Sequence, residues 1–491
     1  METKEAIIAN LREEHAEALA RAESDRSVRL PVLFFFTNGL LWLLGSSLLG
    51  FVASMKLHNP DFLGDAAWLA YGRIHPASTN AFLYGWVFQA GLGAALWIMA
   101  RLCRARLSGI GVLLTAGHVW NIAVTIGVAA ILLGEGTSFP WLDFPAFLWP
   151  VLLLTYAVMA AHLLVLYRAR RSEEVFISQY YLIAAALWFP WAYLTANLLL
   201  HVFPGAGVMS AAVNAWYVGT VLLLWAAPVG LGTAYYLIPK IVGKSIYSYQ
   251  LALAGFWMLA MLGGWTGVQS LKGGPLPAWI PAVSGTATIF LLIPMIAVAI
   301  NLHRTVKGNH HLVNYSPTLR FATFGAVAFN LLIVTGALLS LFSLGRVTQF
   351  TYAESAVHFI GLYSFFTMTL FGAIYFIVPR LVQCEWRSGG WIRFHFWFSA
   401  YGSTAVVAAL FLAGVSQGID QARPYEGFRG SVEVSSAYLV GRSLGWVFIF
   451  LSNLMFFFHI LLMVFRLGRR SGQATLLHEM EKELSAHGVN A

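Results

Sequence analysis

NAWYVGTVLLLWAAPVGLGTAYYLIPK (214–240) runs for 26 residues before it meets its first charge, Lys240. A helix of that length is about 39 Å long, more than the roughly 30 Å hydrocarbon core of a bilayer. No water satisfies peptide groups there, so the segment must be a helix with its own hydrogen bonds. Eleven further stretches read the same way, and none carries Lys, Asp or Glu in its interior. Together the expected helices run roughly 31–55, 76–101, 109–133, 145–168, 177–203, 208–239, 249–271, 277–302, 318–344, 354–379, 391–417 and 437–466. Several exceed 25 residues, which implies tilt or an interfacial extension. The fold class is an all-α polytopic membrane protein, a bundle of twelve transmembrane helices.

Composition supports this: 59% of the residues are hydrophobic and 10% charged, and mean hydropathy is +0.71. The +9 net charge does not indicate a nucleic-acid partner, because the basic residues gather beside helix ends. With the first helix running outward, Arg101, Arg104 and Arg106, then Arg168, Arg170 and Arg171, then Lys240 and Lys244, fall on one side. Arg304, Lys307, Arg380, Arg387, Arg466, Arg469 and Arg470 continue the series. Positive charge retained inside places both termini in the cytoplasm. Three regions follow: a charged amphipathic segment (1–30), the twelve-helix domain (31–466) and a tail (467–491), with the lipid bilayer as the first partner. Cys103 and Cys384 lie in loops on the cytoplasmic side, where a structural disulfide is not expected. No C-x-x-C-H occurs, so the chain holds no covalent c-type haem. The longest outer loop, QGIDQARPYEGFRGSVEVSSAY (417–438), is polar and aromatic and is a candidate docking surface. His310 and His311 sit in a polar inner loop and read as solvated.

Charge within a membrane is costly and marks function. Asp143 and Glu354 stand at outer helix ends, and no carboxylate falls at mid-membrane, which weighs against a proton-coupled transporter. The remaining chemistry is histidine: His75, His118, His162, His201, His358, His395 and His459 lie in or beside helices. Imidazole is a favoured ligand for haem iron and suits copper. A lone histidine in a bundle is more often a hydrogen-bonded packing residue, and these form no i, i+4 pair or triplet.

Five segments, GRIHPASTNAFLYGW (72–86), 214–240, YSYQLALAGFWMLAMLGGWTGVQSLKGGPLPAWI (247–280), FGAIYFIVPRL (371–381) and AYLVGRSLGW (437–446), carry a resemblance in their order and wording. The chain resembles subunit I of the haem–copper oxidases, nearest the cytochrome cbb3-type (C-family) branch, over about residues 60–466. The resemblance implies a twelve-helix bundle in a bacterial inner membrane, holding a low-spin haem, a high-spin haem and a copper that together reduce dioxygen. It also implies where their ligands should stand, and there the chain departs from the family. Ser78 replaces the low-spin haem histidine of R-P-x-H-T-N. Gly219 replaces the copper histidine of W-Y-x-H-N. Gln269 and Ser270 replace the pair in G-P-H-H, and Gly263 stands at the active-site tyrosine. Counting back without a gap from FIVPRL, the H-x-H positions are Val357 and Phe359. His358 lies between them, about 100° from each and aimed at neither haem. His75 lies three residues before Ser78, on nearly the same face.

Two readings follow. In one, the protein is a cbb3-type subunit I-like member of a respiratory-type complex that is redox-silent and structural, with no cofactor and no copper. Its metal pockets are then refilled, with Phe359 and Trp86 between the second and tenth helices. In the other, one shifted b-type haem is held between His75 and His358, with Arg73 and Arg442 on its propionates. It would pass electrons from a membrane-anchored c-type cytochrome, and a one-residue helix irregularity would have to turn His358 inward. A functional terminal oxidase or nitric oxide reductase is a further alternative. Transport of a small neutral solute is another, and it would call for a water-lined central cavity.

Overall fold

The structure is a computed structural model that describes residues 4–205, 207–423 and 428–468, with side chains from Ala20 onward and excepting Phe428. The expected tail therefore lies outside the described residues beyond Gly468. Twelve helices are long and apolar enough to cross a membrane. We label them α1 (Lys4–His58), α2 (Tyr71–Cys103), α3 (Ile110–Leu133), α4 (Ala146–Arg168), α5 (Ile177–Val202), α6 (Val208–Val242), α7 (Tyr249–Leu271), α8 (Trp279–Val306), α9 (Pro317–Ser340), α10 (Tyr352–Val382), α11 (Gly389–Gln421) and α12 (Phe428–Val464).

Three helices form the centre. In α2, α6 and α10, 94% of the most apolar window is buried, against 39–50% in the other nine. The outer helices turn leucines such as Leu41, Leu154 and Leu331 outward, which lipid tolerates and water would not. All three central helices loosen midway into π-helical segments: Ala81–Val87, Leu222–Ala226 and Ile360–Thr367. A π turn admits an extra residue and changes the face that upstream side chains present. The segments meet at the bundle axis, where Phe82 lies 6.1 Å from Tyr363 and Gly361 faces Leu222.

Several boundaries differ from the sequence reading. The segment before residue 31 is not separate, because α1 passes through Pro31 unbroken. Trp97 and Arg101 of α2 tie it down through Asp25 (3.0 and 2.7 Å). The outer loop 417–438 is mostly helix: α11 continues to Gln421 and α12 begins at Phe428. The candidate docking loop thus shrinks to 422–427, of which 424–427 lie outside the described residues. The seventh helix keeps its expected bounds but is interrupted. Its α-helical part stops at Gly263, and Val268–Leu271 form a separate 3₁₀ turn.

Candidate functional site

A cavity of about 560 Å³ opens among α6, α8, α9, α10 and the broken end of α7. Leu222, Leu223, Leu332 and Ile333 make an apolar wall; Asn214, Gln269, Lys272 and Glu354 contribute polar groups. From α10 it receives Glu354, Val357 and His358, which at i, i+3 and i+4 share one helix face. His358 therefore borders the cavity. A π-helical segment begins two residues downstream. An ungapped count through that segment does not preserve helix phase. The imidazole packs edge-on against Trp141, 5.2 Å between ring centres. The Trp141 carbonyl in turn accepts a 2.7 Å hydrogen bond from Tyr84.

Gly219, Gln269 and Ser270, which the resemblance aligns with the family's copper ligands, all line this cavity. A Cβ on Gly219 would sit 2.8 Å from the Cα and N of Gly267 and from the Thr266 carbonyl carbon. Gly267 has φ +105° and lies so tightly against α6 that its own Cβ would come 2.1 Å from the Ala215 oxygen. Two glycine backbones thus touch where a histidine and its metal would need room. Gln269 is occupied as well, since its Oε1 accepts from Gly267 N and from the Ser284 hydroxyl, each at 2.6 Å. Ser270 donates to the Gly267 carbonyl at 2.9 Å. Gln349 then clamps the turn by donating to the Ser270 and Lys272 carbonyls (2.6 and 2.8 Å). Lys272 Nζ donates to the Leu339 and Ser340 carbonyls (2.8 and 2.9 Å). Burial lowers the Lys272 pKa, and the nearby Glu354 carboxylate acts in the opposite sense. Gly263, at the tyrosine position, faces Leu224, whose Cδ2 would lie 2.7 Å from an added Cβ.

His75 has different neighbours. It is exposed and stacks on Tyr71 of its own helix, 5.3 Å between ring centres. Arg442 lies within electrostatic reach of it. Arg442 is only 7% exposed, and its Nε and Nη1 have no hydrogen-bond partner among the described residues. Arg73 turns elsewhere and donates to the Leu132 carbonyl at the end of α3 (3.4 Å). Ser78 is buried against α1 and donates to the Ser46 carbonyl at 3.0 Å. On α10, Phe359 stacks on Tyr363 of the same helix (5.3 Å) and meets Trp446 of α12 edge-on (5.8 Å). Trp86 is fully buried, with its Nε1 donating to Thr367 at 2.9 Å. His75 and His358 thus stand in separate surroundings, one beside Tyr71 and Arg442, the other beside Trp141 on the cavity. Sequence reasoning missed the cavity roles of Lys272 and Gln349; a lone lysine just past an apolar run was the available signal.

Residues 30–467 match the family described as Cytochrome C and Quinol oxidase polypeptide I. The chain belongs to this family. It is 24% identical over 432 residues to the Cbb3-type cytochrome c oxidase subunit CcoN1 of Stutzerimonas stutzeri, covering 83% of this chain and 89% of that one. It is 25% identical over 402 residues to a cytochrome c oxidase subunit 1 homolog of Azorhizobium caulinodans, covering 79% of this chain and 72% of the relative. Its fold is similar to that of a chain in a cryo-EM structure of a haem–copper terminal oxidase dimer. There the TM-score is 0.65 at 15% identity, over 94% of this chain and 86% of that one. The resemblance drawn from the five segments is therefore correct, as are the helical class and the multi-pass membrane character. The bacterial relatives point to a bacterial membrane.

Proposed function

We propose that this protein is a subunit I-like member of a membrane oxidase complex that does not itself reduce dioxygen. It would serve as a structural or assembly subunit, with both termini in the cytoplasm. One observation carries the reading: at Gly219, which the resemblance aligns with a copper-binding histidine, a Cβ would meet the Gly267 and Thr266 backbone at 2.8 Å. A copper site needs nitrogen or sulfur ligands around open space. Gly219, Gln269 and Ser270 offer no imidazole, and the amide of Gln269 is already bonded within the turn. The residues present do not fit copper. Other subunits of a complex are the natural partners of a surface retained without that centre.

A single b-type haem is a second reading, and Arg442 favours it, because a buried guanidinium with two unpaired nitrogens suits an anionic propionate. Against a pair of axial imidazoles stands the separation of His75 and His358 into different surroundings. The test is a reduced-minus-oxidised visible spectrum with metal analysis of the purified protein. The structural reading expects no b-type band and no stoichiometric copper. A sharp b-type band lost in both His75→Ala and His358→Ala would establish the haem reading instead, and copper at one per chain would overturn both.

A further inference from the structure

The cavity of about 560 Å³ at the broken end of α7 is graded along its length. Its polar groups stand where helices begin or end. Ser210 and Asn214 lie in the first two turns of α6, Glu354 in the first turn of α10, and Lys272 just past α7. Leu222 follows Ser210 on α6 by twelve residues, which places it about 18 Å deeper in the bundle. It shares that deeper wall with Leu223, Leu332 and Ile333. A polar mouth above an apolar wall is the lining of an amphiphile site, and the volume falls within the roughly 300–1,000 Å³ of small-molecule pockets.

Charge narrows the class of ligand. Among the described residues that line the cavity, only Lys272 and Glu354 carry a formal charge, one of each sign. Lys272 Nζ donates to the Leu339 and Ser340 carbonyls and senses Glu354 through space, without a direct ion pair. An anionic head group would be drawn to one of these and repelled by the other, and a cationic one likewise. A neutral group that both donates and accepts gains from the whole set. The His358 imidazole adds to that set: it packs on Trp141 and has no hydrogen-bond partner among the described residues, and a neutral imidazole offers one donor and one acceptor. Two aromatic residues beside the cavity are held in the left-handed region, Trp141 (φ 67°) against His358 and Phe350 (φ 59°) in the lining. Bulky residues avoid that conformation, and it gathers at ligand clamps.

We propose that this cavity binds a neutral single-chain amphiphile with a hydroxyl head, of the class of a long-chain alcohol. The hydroxyl donates to the Glu354 carboxylate or meets the His358 imidazole, and the alkyl chain runs along α6 to the wall of Leu222 and Ile333. The proposal goes beyond the structural reading and does not rest on it: the visible spectrum decides that reading, and ligand binding decides this one.

The test uses the full-length protein in phosphatidylcholine nanodiscs at pH 8, with three probes that share one alkyl chain: dodecanol, dodecanoate and dodecylammonium. Saturable binding is measured above that of protein-free discs. The wild type should bind dodecanol roughly tenfold tighter than either charged probe, the scale of one like-charge contact near a protein surface. Glu354→Gln leaves Lys272 as the one charge, so dodecanoate should then bind more tightly than dodecylammonium; Lys272→Gln should reverse that order. Ile333→Trp crowds the apolar wall without changing its charge and should weaken dodecanol. Equal binding of the three probes, a wild type that prefers a charged probe, no saturable binding of dodecanol, or a ranking that the charge variants leave unchanged would overturn the proposal. If Lys272→Gln does not fold, because that ammonium also clamps the turn, Glu354→Gln alone decides the ranking.

Discussion

Returning a histidine to Gly219 should damage the protein rather than restore a copper site. The new Cβ would meet three backbone atoms at 2.8 Å, two on Gly267 and one on Thr266. None of these can rotate aside as a side-chain tip could. Gly267 cannot retreat easily, because it is itself pressed on Ala215 and held by the hydrogen bond between its N–H and Gln269. Overpacking a tight interior costs about 1–3 kcal/mol, and more where backbone must move. A ring beyond the Cβ, with the Gln269 bonds broken, places Gly219→His at about 3 kcal/mol or above. The assay is thermal unfolding of detergent-solubilised protein, paired with copper analysis. Val357→His is the control, since that residue borders the open 560 Å³ cavity and an imidazole there has somewhere to go. The expected order is a large loss of stability for Gly219→His, little for Val357→His, and no bound copper in either. Gly219→His protein that melts with the wild type and holds one copper would refute the closed-site argument.

Three further outcomes can be checked. Burial raises the pKa of Asp143, in the connection between α3 and α4, to about 6. Its carboxylate accepts hydrogen bonds from Asn80 (2.6 Å) and the Trp141 N–H (3.0 Å). An acid whose folded pKa is raised stabilises the fold below its unfolded pKa near 4, and that stability is lost as pH rises to about 6. The stability difference between wild type and Asp143→Asn, read from thermal unfolding, should therefore favour the wild type more at pH 4.5 than at pH 7, by roughly 1–3 kcal/mol; parallel profiles would contradict this. Asp25→Asn removes the charge from a half-buried pair with Arg101, 15% and 18% exposed. It should lower stability by about 1–3 kcal/mol, and an unchanged melting point would mean that α1 is held by apolar packing alone. Cys103 and Cys384 are 0% and 5% exposed, so a thiol reagent should label neither until the protein unfolds; prompt labelling of the folded protein would count against the packing of α2 or of the α10–α11 connection.

The sequence by itself determined the spans, their number and the family. Each depends on local properties: runs of apolar residues long enough to cross a bilayer, and short motifs around residues 72–86 and 371–381. The alignment of Ser78, Gly219, Gln269 and Ser270 with the family's ligands rests on the resemblance of those motifs alone. Helix ends were less legible where polarity and helicity part company. Residues 418–421 and 428–436 look like loop, yet they continue α11 and α12, because a helix leaving the membrane keeps its own hydrogen bonds while it packs on a neighbour. Only the tertiary structure decided what surrounds those residues. Gly219 and Gly267 are far apart in the chain, and nothing local states that their backbones touch. The π-helical segment of α10 is equally silent in the sequence, since its extra residue is set by packing at the bundle axis. His358 lies on the cavity beside Glu354 and Val357, and only the tertiary structure shows which face of α10 that cavity meets.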